Sequence, residues 1–174
     1  MSGNNNLVGA AVRIAKSPDE VLSLIAKHVL TIELGKAPEK RQGSLLGLTD
    51  LLINNTSYIT EDSVSPLVRA MKDPNEDVAI TADVCVITVA TDSPKTVLST
   101  LVKEANSAKG STKKRMSSTV SSIYLIARKS DKPQLAKLAG RYGFRLGDKK
   151  VVPFVRPKPK APAKEVQKIR RRVA

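Results

Sequence analysis

The chain has 174 residues and a net charge of +14, from 30 Lys/Arg against 16 Asp/Glu. That length suits one domain of ordinary size, and a hydrophobic content of 41% is enough to build a core. One Cys and one His exclude a disulfide framework, a thiolate cluster and a multi-His metal site, so no metal or cofactor is expected; aromatics at 3% with no Trp argue against a surface built on stacked bases or sugars.

Residues 1–16 are read as an N-terminal segment. It opens on a polar, uncharged stretch, then runs apolar over residues 7–15 with Arg13 inside it. Neither this run nor the most apolar stretch, the 13 residues 78–90 interrupted by Asp83, reaches the roughly 20 apolar residues of a membrane span. A soluble, intracellular protein with no integral membrane association is expected.

Helix signals dominate from there. Ser17-Pro18-Asp19-Glu20 is a cap, a first-turn proline and two acids at the positive helix end. Val21, Leu24, Ile25 and Val29 follow near the 3.6-residue period, and Gly35 stops the helix. A second helix opens at Pro38-Glu39 and points Leu45, Leu48, Leu51 and Leu52 inward. A third begins near Thr60 and carries Val64, Leu67, Val68 and Met71 until Asp73-Pro74-Asn75 breaks it. A fourth covers about residues 76–90. Its β-branched run also suits a strand, but its length, Ala79 and Ala82 favour a buried helix. A fifth starts at Ser93-Pro94, repeating the cap-then-proline device. A sixth starts at Ser111-Thr112 and contains Met116, Val120, Ile123 and Tyr124. A short seventh covers residues 132–141 and ends near Gly140 or Gly143.

The second helices of successive pairs begin near Glu39, Glu76 and Lys113, each 37 residues apart. A period of this size with two helices per unit is that of α-solenoids. The middle unit carries Leu67-Val68-Arg69-Ala70-Met71-Lys72-Asp73-Pro74-Asn75-Glu76-Asp77-Val78-Ala79. This apolar helix, Asp-Pro turn and acid before Val resemble the HEAT/armadillo class, although Ala79 stands where a basic residue is usual. The resemblance covers about residues 19–130 and implies a scaffold: an all-α, short solenoid of about three helical hairpins over residues 17–147. Residues 148–174 then form an extended basic arm, where Pro-rich sequence favours polyproline II.

The charge is divided unevenly. Residues 1–92 carry a net of −4 and residues 93–174 a net of +18, an imbalance that points to a polyanionic partner. The candidate contacts are Lys109, Lys113, Lys114 and Arg115 at the start of the sixth helix, where free N–H groups favour phosphate. Arg128, Lys129, Lys132, Lys137 and Arg141 continue the basic surface. Arg145 closes Arg141-Tyr142-Gly143-Phe144-Arg145, whose rings either stack on bases or enter the core. In the arm the candidates are Lys149, Lys150, Arg156, Lys158, Lys160, Lys164, Lys168, Arg170, Arg171 and Arg172.

His28 and Cys85 lie in apolar helices without a visible catalytic neighbour and are read as packing residues. Gly43 and Gly47 have helix-packing spacing. The acid pairs at helix starts are accounted for by the helix dipole. The reading is a non-enzymatic structural protein that binds DNA or RNA through phosphates with little sequence specificity. Packaging of chromatin, a viral nucleocapsid and a ribonucleoprotein scaffold all fit, which places it in a nucleus, nucleoid or virion. The second reading is a protein–protein adaptor with a basic localisation tail.

Overall fold

The computed structural model describes residues 17–144 and Leu146. Among them the chain is all-α, with no strand. α1 is Pro18–Leu34, α2 Pro38–Asn54, α3 Glu61–Ala70, α4 Glu76–Ala90, α5 Pro94–Ser107, α6 Gly110–Ile126 and α7 Lys132–Gly140. A single 3-10 turn, Thr56–Tyr58, joins α2 to α3.

Local chemistry sets most boundaries. Ser17 caps α1 by accepting from the Glu20 N–H at 3.3 Å, and the chain leaves the helix at Gly35. Thr60 and Ser63 cap α3 reciprocally, each backbone N–H donating to the other's hydroxyl at 3.0 and 3.3 Å. Asn75 caps α4 by accepting from the Val78 N–H at 3.1 Å. Asp73 accepts the Asn75 N–H at 2.8 Å, so one Asp-Pro-Asn turn closes α3 and opens α4.

Two expectations need correction. Ser93 makes no side-chain cap on α5; its hydroxyl bonds instead to the Thr96 hydroxyl at 3.0 Å. α6 begins at Gly110, ahead of Ser111-Thr112; Gly110 takes φ +57°, a conformation glycine adopts without penalty. α7 ends at Gly140, the first of the two glycine stops expected there.

The β-branched α4 is helical throughout. Val78, Ala82, Cys85, Val86 and Val89 are buried, a spacing of three and four residues that a strand does not have. Its buried side meets α2 and α6, and that packing outweighs strand propensity.

The helices pack in series. α1 packs on α2, α3 on α4 and α5 on α6. α1, α3, α5 and α7 also contact one another in succession, and so do α2, α4 and α6. One apolar cluster runs through the described residues from Val21 to Ala139. Its fully buried members include Leu45, Leu48 and Leu52 of α2, Leu67 of α3, Leu98 and Leu101 of α5, Met116 and Ile123 of α6 and Leu135 of α7. Each such side chain contributes roughly 1.5–3 kcal/mol of transfer free energy.

Polar contacts tie each hairpin to the next. Arg41 holds Asp73 through two bonds of 2.9 Å and donates to the carbonyls of Gly35 at 2.8 Å and Lys36 at 3.1 Å. Arg69 pairs with Glu33 at 2.8 Å, and Lys103 with Glu61 at 2.7 Å. The last two are exposed pairs that add little individually.

Of the two glycines at packing spacing, only Gly47 serves that purpose. A Cβ there would lie 2.5 Å from His28 Cε1, whereas one at Gly43 meets nothing within 4 Å. The His28 ring seals α1 against α2, and burial, with Lys27 beside it, lowers its pKa from the ordinary 6.5.

Two outcomes follow from this contact. Gly47→Ala forces the ring outward and should destabilise the protein by about 1–3 kcal/mol in urea unfolding. The unfolded chain protonates His28 near pH 6.5 and the folded chain only at lower pH. Unfolding therefore takes up a proton in that window, and stability falls as pH drops through it. The urea midpoint of His28→Gln should decline less between pH 7.5 and 5.5 than that of the parent chain.

Candidate nucleic-acid interface

Charge among the described residues changes at the α5–α6 connection. Residues 17–107 hold 8 Lys/Arg and 13 Asp/Glu, while residues 108–144 hold 9 Lys/Arg and 1 Asp/Glu. In the first stretch Arg41, Arg69, Lys72, Lys95 and Lys103 pair with carboxylates. In the second, Arg115 alone does so. The one acid there, Asp131, is engaged by Lys95 at 3.8 Å.

Lys109, Lys113 and Lys114 are exposed at the start of α6 and pair with no carboxylate among the described residues. Lys109 is the N-cap residue; no side chain caps this helix and no acid stands in its first turn. α1, α3 and α4 have both. Its first-turn N–H groups therefore have no side-chain cap, and three exposed lysines stand in or next to that end of the helix. Cations at this positive end of the helix oppose the dipole, and an anion would relieve both features.

Arg115 departs from expectation. Its guanidinium binds the Glu76 carboxylate at the start of α4 and the Met71 carbonyl at the end of α3. With its side chain 19% exposed, it joins the second hairpin to the third and is not a free phosphate ligand. Of Lys113, Lys114 and Arg115, only the two lysines are thus without a carboxylate partner among the described residues.

Arg128 and Lys129 are exposed in the α6–α7 connection. They follow the negative end of α6, where the dipole alone accounts for them. A crevice of about 260 Å³ brings Arg128 together with Asp92 and Asp131. Lys132 lies 5.1 Å from the centre of the Tyr124 ring, half-buried in a cation–π contact. Lys137 and Arg141 are exposed at the end of α7, again at a dipole-favoured position.

The basic surface is therefore not one strip. Between Lys114 and Arg128 the helix rises about 20 Å, and the exposed residues there include Ser118, Ser121 and Leu125. Ser117 and Ser121 donate their hydroxyls to the Lys113 and Ser117 carbonyls at 2.7 and 3.2 Å. Tyr142 and Phe144 are partly buried and pack against the core cluster, the second of the two readings their sequence allows. Arg145, the arm cations from Lys149 to Arg172 and the short helix expected near the C-terminus lie outside the described residues.

Cys85 is buried. Desolvation, its dominant influence, pushes the thiol pKa up, against a hydrogen bond with Thr49. No group of three or more His, Cys, Asp or Glu among the described residues is placed to hold a metal ion. No described helix is long and apolar enough to cross a membrane. Compared with known proteins, the chain matches no family model, no curated sequence and no solved structure.

The division of labour at the start of α6 is testable by unfolding. Arg115→Ala should cost about 1 kcal/mol, since it removes a partly buried charge-assisted contact. The double variant Lys113→Ala/Lys114→Ala should retain or slightly raise the thermal midpoint, because it removes cations that oppose the dipole.

Proposed function

We propose that the protein is a non-enzymatic nucleic-acid-binding structural protein, a short α-solenoid of the HEAT/armadillo kind that neutralises phosphates with little sequence preference. Helix-on-helix packing in two successions supports the solenoid part of this reading. The nucleic-acid part is carried by one observation. Residues 108–144 hold nine cations and one acid, and among the described residues Arg115 alone of those cations has a carboxylate partner. A folded surface gains nothing from unpaired like charge, which raises its self-repulsion, whereas a polyanion turns the same charge into affinity through counterion release.

In this reading Lys109, Lys113 and Lys114 grip phosphate with the N–H groups of α6, and Arg128, Lys129, Lys137 and Arg141 give a second contact region. Lys149, Lys150, Arg156, Lys158, Lys160, Lys164, Lys168, Arg170, Arg171 and Arg172 extend the interaction along the backbone. Phosphate contacts position a protein on nucleic acid without reading its sequence. Packaging in chromatin or a nucleocapsid and scaffolding of a ribonucleoprotein all use this chemistry.

A second reading, a protein–protein adaptor, is favoured by Ile80 and Val84, which stand 49% and 57% exposed on α4. A salt titration separates the two. On duplex DNA the slope of log affinity against log salt should become shallower by about two to three units in the Lys109→Ala/Lys113→Ala/Lys114→Ala variant, at roughly 0.9 per lost contact. The change should be alike for unrelated sequences. Absence of salt-dependent binding to DNA and RNA, single- and double-stranded, would leave the adaptor reading.

A further inference from the structure

The two successions of helices present different outer surfaces. α3 and α5 are laced by exposed ion pairs such as Lys103–Glu61, and neither they nor α7 expose a large hydrophobic side chain. α2, α4 and α6 instead expose Leu46, Ile80, Val84 and Leu125, the first and last by 54% and 62%. These three helices run parallel and in register. Gln42 donates to Thr81 at 3.3 Å and Thr49 bonds Cys85 further along, while Arg115 and Thr119 bond Glu76 and Asp83 in the same way. Helical spacing from the buried positions puts the four apolar side chains on one outer face. Small residues stand among them: Gly43, where an added Cβ would meet nothing within 4 Å, and the exposed Ser118 and Ser121. The charge of this face is divided by helix. Glu39 and Asp50 on α2 and Asp77 on α4 are exposed acids, and Lys114 on α6 is an exposed cation. None of the four has an ion-pair partner among the described residues. Lys40 stands seven residues before Gly47, on the side of α2 that faces α1 and away from this surface.

We propose that this face binds a second copy of the chain about a two-fold axis parallel to the helices. Such an axis turns the face onto itself, keeps the helix directions, and lays α6 of each copy over α2 of the other and α4 over α4. Charge complementarity selects this arrangement. At the helix starts, Glu39 and Asp77 of one copy meet Lys114 of the other. At the far end, Asp50 comes to Arg128 and Lys129, which follow α6. An axis running across the helices would set α6 on α6 and oppose Lys114 to Arg128, which like-charge repulsion disfavours. Ile80 and Val84 meet their own counterparts near the axis and supply the apolar centre of the contact. The size agrees as well. Helices of 15 and 17 residues are about 22–26 Å long. Three of them at a spacing of about 8–10 Å cover roughly 700 Å², against about 800 Å² per partner in a standard specific interface. Lys114 is shared with the proposed phosphate contact, so a polyanion and a second copy compete for it. The inference does not rest on nucleic-acid binding, and its test is run without nucleic acid.

Sedimentation equilibrium of the full chain, freed of nucleic acid, should show monomers in concentration-dependent exchange with dimers. A monomer at every concentration overturns the proposal. Glu39→Lys and Lys114→Glu should each weaken the dimer by about tenfold. The double variant Glu39→Lys/Lys114→Glu exchanges the charges across the same contact and should restore it. Gly43→Arg places a long side chain in the interface at a position where a Cβ meets nothing of its own chain. It should lower association while the thermal midpoint of the dilute monomer is kept or raised, since it replaces a glycine inside a helix. Dimers indifferent to these variants, or lost instead through Leu30→Gln on α1, would put the second copy on another face and overturn the proposal.

Discussion

Arg41 reaches three structures at once: the carboxylate of Asp73 in the α3–α4 turn, the carbonyls of Gly35 and Lys36 at the α1–α2 turn, and its own helix. The two side chains are 12% and 11% exposed, so the pair works in a poorly solvated place where breaking it leaves a buried charge. Its fork-to-fork geometry also fixes direction, which a lysine at the same place would not do. The α1–α2 hairpin is thereby set against the α3–α4 hairpin in one register. Asp73 simultaneously accepts the Asn75 N–H, so the turn that starts α4 and the clamp that seats it share one carboxylate.

From that seating the later hairpins repeat the same solution with different residues. Glu76, one turn away, takes Arg115; Asp83 accepts from the Thr119 hydroxyl at 2.5 Å; Glu61 takes Lys103. Acids placed at helix starts by dipole logic become the partners of the following hairpin. The arrangement leaves acids in the early hairpins and, beyond α5, cations that run out of partners. The asymmetry that suggests a polyanion is thus a property of how the stack is held together as well as of composition.

Much of the fold is legible locally. Ser17-Pro18, the Thr60 cap and Asp73-Pro74-Asn75 mark their helix ends because capping is decided within four residues. The 37-residue spacing of Glu39, Glu76 and Lys113 shows hairpins following hairpins. What depends on tertiary juxtaposition is not legible. Lys113, Lys114 and Arg115 look equivalent in sequence, yet the third is claimed by Glu76, 39 residues earlier. Gly43 and Gly47 look like a pair, yet only Gly47 meets His28. Tyr142 and Phe144 fit a base-stacking pattern and a core role equally well in sequence, and only the fold shows them partly buried against the core cluster. The hint for Arg115 was present: Glu76 and Arg115 occupy neighbouring places in successive hairpins, and a search near the 37-residue spacing would pair them.

The clamp has a consequence for synthesis. Asp73 follows Arg41 by 32 residues, and most of the other cross-hairpin bonds close over similar distances. Domains fold as they emerge, N-terminal part first, and short-range contacts form quickly. Arg41 therefore waits for only one more helix to leave the ribosome before its guanidinium is satisfied, and each new hairpin lands on a template already in place.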